Sequence, residues 1–149
     1  LYSSAASDVY KRQQYTSTTS TATNDQTNVA LDHLAVNITP ISTSSIIRID
    51  AMVNGEWSNQ NCSYNSVRVI YRGSTKLSAP VSSGRAVGVL MGTMISYDAA
   101  QGGSTPEMVY YSYFDAPSTT SQVTYKVGVY QGLGSNQTWY TNKTVLDSK

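Results

Sequence analysis

The sequence predicts an all-β fold, an antiparallel two-sheet sandwich, and three observations carry that reading. From Val29 onward, short runs of alternating apolar and polar residues are separated by Gly, Ser, Asn or Pro breaks. Helical periodicity is missing throughout. The chain is 40% hydrophobic and only 13% charged, about a quarter is Ser or Thr, and twelve Tyr stand against one Phe. Its surface is therefore built from neutral polar groups, and its core from aromatics with polar tips. A length of 149 residues allows one domain with a genuine core and is short for two.

The elements follow in order. Residues 1–13, LYSSAASDVYKRQ, share no pattern with the remainder. The run ASDVYKRQ resembles translated linker sequence found at the ends of environmental gene fragments, the other reading being a natural arm; either is expected to be disordered. Residues 14–28 are hydroxyl-rich and read as a polar linker or lead-in strand. Residues 29–149 are expected to form the sandwich. In 30–39, Leu34, Val36 and Ile38 share one face, and His33, Ala35 and Asn37 the other, before Pro40 and a Ser/Thr cluster end the strand. In 45–53, Ile47, Ile49, Ala51 and Val53 point inward, with Arg48 and Asp50 outward, and Asn54-Gly55 supplies a tight turn. Val67, Val69 and Tyr71 alternate with Arg68 and Arg72. Residues 86–91 form an apolar strand that contains Gly88, which 94–97 continue after a bend.

The strand at 107–114 is apolar or aromatic on both faces, with Met108, Tyr110 and Phe114 on one and Val109, Tyr111 and Tyr113 on the other. Such a strand needs cover on both sides. One face meets the opposing sheet; the other is expected to meet a neighbouring subunit, and Val109, Tyr111 and Tyr113 are assigned to that interface. Residues 123–130 and 138–145 complete at least seven strands, which favours a sandwich or jelly roll over any α/β arrangement.

Several function classes lose support. A net charge of +1 with scattered basic residues gives no electrostatic case for nucleic acid or an anionic membrane. No apolar run approaches the roughly 20 residues of a membrane span, and residues 1–30 lack the apolar centre of a signal peptide. Cys62 is the single cysteine, so no intrachain disulfide forms, and no paired His activates its thiol. His33 is the single His and reads as a solvent-facing structural residue. Asp98, Glu107 and Asp115 lack the spacing of a cation loop, so neither metal nor cofactor is expected. Asp50 with Glu56, or Asp98 with Glu107, are the carboxylate pairs that glycoside hydrolysis would use, but each reads as ordinary solvated charge beside a turn. Four Asn-x-Ser/Thr sequons, at Asn37, Asn61, Asn136 and Asn142, barely exceed the roughly two that this composition gives by chance.

Four segments occur together in order: LAVNITPISTSSIIRIDAMVNG (34–55), IYRGSTKL (70–77), YFDAPSTTSQVTYKVGVY (113–130) and TWYTNKT (138–144). In this order they resemble a domain common at the C-terminal end of bacteriophage tail-fibre and virion surface proteins, of the marine phage type. The resemblance covers roughly residues 28–145. It implies a jelly roll of the tumour-necrosis-factor-like kind that assembles as a homotrimer in the virion, built in the cytoplasm of the bacterial host. The family's final strand, of the Ser-Thr-Ile-Thr-x-Met-Glu-Ile type, is missing after Val145, so the sandwich is expected to lack its last strand.

The function implied is non-enzymatic: a trimerising fibre or appendage tip whose loops, at 54–65, 78–85, 98–106 and 131–137, meet a host cell-surface glycan. Trp57, Asn59 and Tyr64 are the ligand-facing candidates, with Trp57 and Trp139 as sugar-stacking platforms, although a core position suits Trp139 at least as well. The alternatives are a monomeric extracellular carbohydrate-binding module and a spacer or capsid decoration without a ligand.

Overall fold

The computed structural model describes residues 21–24, 29–57, 67–77, 88–91, 107–130 and 138–142. Within them the chain is all-β. The strands are β1 (Thr21–Asn24), β2 (Val29–Ile38), β3 (Ile47–Trp57), β4 (Val67–Arg72), β5 (Thr75–Leu77), β6 (Leu90–Met91), β7 (Glu107–Asp115), β8 (Val123–Tyr130) and β9 (Thr138–Thr141). They form two antiparallel sheets packed face to face. The first has the order β1-β9-β3-β7 and the second β2-β8-β4-β5, with β6 also on β4. Because β8 pairs β4 along its whole length, β5 and β6 share the other edge of β4.

The pairing is nested: β1 with β9, β2 with β8, β3 with β7, and β4 with β5 and β6. One long antiparallel ribbon, rolled so that its strands alternate between sheets, gives this order, and it is a jelly roll. Among the described residues, the interior strands have neighbours on both sides. Residues 143–149 lie outside the described residues.

The inward faces follow the period of two. Ala51 and Val53 from β3, Val109 and Tyr111 from β7, Val127 and Val129 from β8, Ile70 and Trp139 fill the space between the sheets. Leu34, Val36, Ile38, Ile47 and Ile49 pack against them as expected. Trp57 and Trp139 meet edge to face, with ring centroids 5.3 Å apart and planes at 68°, a geometry that suits the ring quadrupoles.

One expectation needs correction, and two features go beyond what the sequence stated. Asn54-Gly55 is no turn: β3 runs straight through it, with Asn54 opposite Met108 and Gly55 opposite Glu107. The glycine serves close packing, since a Cβ there would overlap the Tyr140 carbonyl oxygen and the indole of Trp139. On β4 the alternation holds, but the charged side faces the opposing sheet. Ile70 joins the core, and Arg68, fully buried, sits 4.9 Å from the ring of Trp139. Val67, Val69 and Tyr71 form a separate buried cluster on the other side. Finally, β4 and β5 make a hairpin that the sequence reading missed. Arg72 pairs Thr75 across Gly73-Ser74, and positive φ at Gly73 (59°) but not Ser74 fits a type II′ turn.

A candidate interaction face on β3 and β7

β3 and β7 pair over nine consecutive positions with no bulge, from Ile47 opposite Asp115 to Gly55 opposite Glu107. Regular pairing makes a continuous surface, and its outer side carries four cross-strand pairs. These are Arg48 with Phe114, Asp50 with Ser112, Met52 with Tyr110 and Asn54 with Met108. Met52, Met108, Tyr110 and Phe114 are 60–67% exposed, and Ile46, just before β3, is 68% exposed. Of the large hydrophobics exposed among the described residues, Ile41 alone lies apart, in the turn that precedes Ile46. Scattered apolar residues on a surface are ordinary; a cluster on one flat face marks a contact surface.

A polar strip crosses this face. The Tyr110 hydroxyl donates to Asp50 Oδ1 at 2.9 Å, and Arg48 Nε donates to the same oxygen at 3.1 Å. The Arg48 guanidinium lies 6.0 Å from the Phe114 ring centroid. Its pKa is raised, first by hydrogen bonding with Tyr110 and then by Asp50. Exposed ion pairs contribute little to stability. Their effect here is to link three side chains in one strip across the face.

Beneath the face, β7 is clasped to the opposing sheet. Asp115, 8% exposed, accepts a hydrogen bond from the Tyr125 hydroxyl at 2.6 Å and from Arg72 Nη1 at 3.0 and 3.1 Å. Strands β4, β7 and β8 therefore meet at one carboxylate. Burial pushes the Tyr125 phenol pKa up, and the bond to Asp115 adds to the shift. The Tyr111 phenol is raised by burial too, against the opposing charge of Arg68.

The interface residues expected from the sequence are on the wrong side of β7. Val109 and Tyr111 are 4% and 5% exposed and lie in the core, where Tyr111 also donates to the Val69 carbonyl at 3.4 Å; Tyr113 packs against the same core. The strand was correctly divided into two faces, but Met108, Tyr110 and Phe114 are the outward set. Trp57 is likewise no loop platform: it is buried at the end of β3 against Trp139, which is also buried. Asn59, Tyr64, Cys62 and Asp98 lie outside the described residues, as do almost all of the four loops expected to carry recognition. His33 falls on β2.

Asp50 and Glu56 are six residues apart on one continuous strand, roughly 20 Å at strand rise. That is well beyond the separation glycoside hydrolysis needs. Among the described residues no three His, Cys, Asp or Glu side chains gather as a metal site would require. No helix there is long and apolar enough to cross a membrane. No family model matches the chain, and no curated protein or solved structure matches it either.

Proposed function

We propose that this chain is a non-enzymatic phage virion domain, the homotrimerising tip of a tail fibre or related appendage, which presents loops to the host surface. The observation that carries the reading is the outer face of β3 and β7. Four large hydrophobics there stand 60–67% exposed on a regular, bulge-free pair of strands. Left in water, such a face favours association, because burying it removes apolar area at about 25 cal/mol per Å². The jelly-roll strand order agrees with the fold that the resemblance implies. Three copies around one axis would cover the face. Adhesion then gains strength from several weak sites acting together.

Size-exclusion chromatography with light scattering tests the reading. The wild-type chain at micromolar concentration should elute at three times its 16.1 kDa mass. Tyr110→Lys, which places a charge in the middle of the face, should elute as a monomer. A wild-type monomer under these conditions would sink the proposal, and glycan binding by that monomer would instead favour the carbohydrate-binding module.

A further inference from the structure

Two of the four large hydrophobics on the β3–β7 face are methionines. Met52 and Met108 are 67% and 66% exposed. The register places them diagonally, since Met52 faces Tyr110 and Asn54 faces Met108. Diagonal neighbours on one face lie within about 8 Å, so the two thioethers and the Tyr110 ring form one apolar group at the Asn54–Met108 end of the face. A thioether is soft and apolar, well suited to packing against another protein surface. It is also the group on this patch that peroxide converts under mild conditions. We infer that Met52 and Met108 form a paired oxidation site whose conversion to sulfoxide opposes assembly of the chain; the inference rests on the proposal that this face is covered in the assembly.

The chemistry balances with hydrogen peroxide as the only co-reactant. A sulfur lone pair takes one oxygen atom, the O–O bond breaks, and water leaves. Sulfur is oxidised and peroxide reduced. The product replaces an apolar atom with a strong hydrogen-bond acceptor within a surface that must be dry to hold. The Tyr110 hydroxyl, opposite Met52, already donates to Asp50, so it serves a sulfoxide only by giving up that bond. A buried polar group without a partner weakens association by roughly tenfold or more, and each protomer brings two sulfurs. The assembled form shields its own sulfurs, so peroxide acts on the free chains in exchange with it, and prolonged treatment drains the assembly as oxidised chains fail to rejoin.

The test uses the full chain, hydrogen peroxide, peptide mass analysis and light scattering. The wild type should be assembled before treatment, gain one oxygen at Met52 and at Met108, and shift to monomer with a weakening of at least tenfold. The Met52→Leu/Met108→Leu variant keeps apolar volume without an oxidisable sulfur, and should stay assembled through the same treatment. Methionine sulfoxide reductase should restore the wild-type assembly. A wild type that remains assembled with both sulfoxides in place overturns the inference. So does a double variant that dissociates equally, since another oxidised residue would then be responsible. A chain already monomeric before peroxide overturns the assembly reading first, and this switch with it.

Discussion

Asp115 is where the sandwich is most exposed to a single change. Replacing it with Ala removes the acceptor of a 2.6 Å hydrogen bond from Tyr125, whose ring is 2% exposed. A buried hydroxyl left without a partner costs about 1–3 kcal/mol. The loss of the Arg72 contact adds less, because that side chain is 31% exposed and water screens it; about 1 kcal/mol or below is appropriate. Together the expected destabilisation is about 2–3 kcal/mol. Asp115→Asn keeps the shape and one acceptor oxygen, so it should lose about half as much. Tyr125→Phe removes the same hydrogen bond from the other side, and the pair should show a coupling of about 1 kcal/mol or more in a double-mutant cycle. Urea unfolding followed by tryptophan fluorescence reads all five proteins, the wild type and the double variant included, because Trp57 and Trp139 lie in the core. Protein concentration must be held constant, since association would shift the midpoint. An Asp115→Ala midpoint equivalent to less than about 0.5 kcal/mol of loss would refute the idea that this carboxylate joins the sheets.

Gly55→Ala should destabilise by about 2 kcal/mol or more, because the new methyl would overlap a backbone carbonyl oxygen as well as the Trp139 indole; thermal unfolding measures this, and an unchanged midpoint would remove the packing argument for that glycine. Stability should also fall in alkali. In the unfolded chain phenols ionise near pH 10, whereas Tyr111 and Tyr125 are held protonated in the fold by burial. Above that pH the unfolded state binds fewer protons, so unfolding becomes easier as pH rises, with a limiting slope of about 1.4 kcal/mol per pH unit for a fully shielded phenol. Below about pH 9 the contribution is fully present and flat. Urea midpoints between about pH 8 and pH 11 check this, and a curve that stays level throughout would count against shielding of either phenol.

The architecture was largely legible in the sequence because strand period is local. Alternation in 30–39 and 45–53 identified Leu34, Val36, Ile38, Ile47, Ile49, Ala51 and Val53 as inward, and they pack as read. The same rule divided 107–114 into its two faces. It could not say which face turns inward, because both are apolar. That choice depends on register with β3, whose own face is unambiguous: Arg48 lies opposite Phe114, so Phe114, Tyr110 and Met108 point outward with it. The partner strand is more than fifty residues away, and nothing local fixes the pairing. Gly55 misled for a related reason. Asn-Gly signals a turn when only neighbours are considered, yet here the glycine makes room for an indole from β9.

By itself, then, the sequence determined most of the strands, most of their faces and the sandwich class, since hydrophobic period and turn residues act over a few positions. Tertiary structure alone decided three things. It turned Val109 and Tyr111 into core and Tyr110 and Phe114 into surface. It gathered Arg72, Asp115 and Tyr125 from three strands around one carboxylate. It also placed Met52 beside Met108 on an open face. Each depends on non-local register, which is set by the packing of the whole ribbon as it rolls.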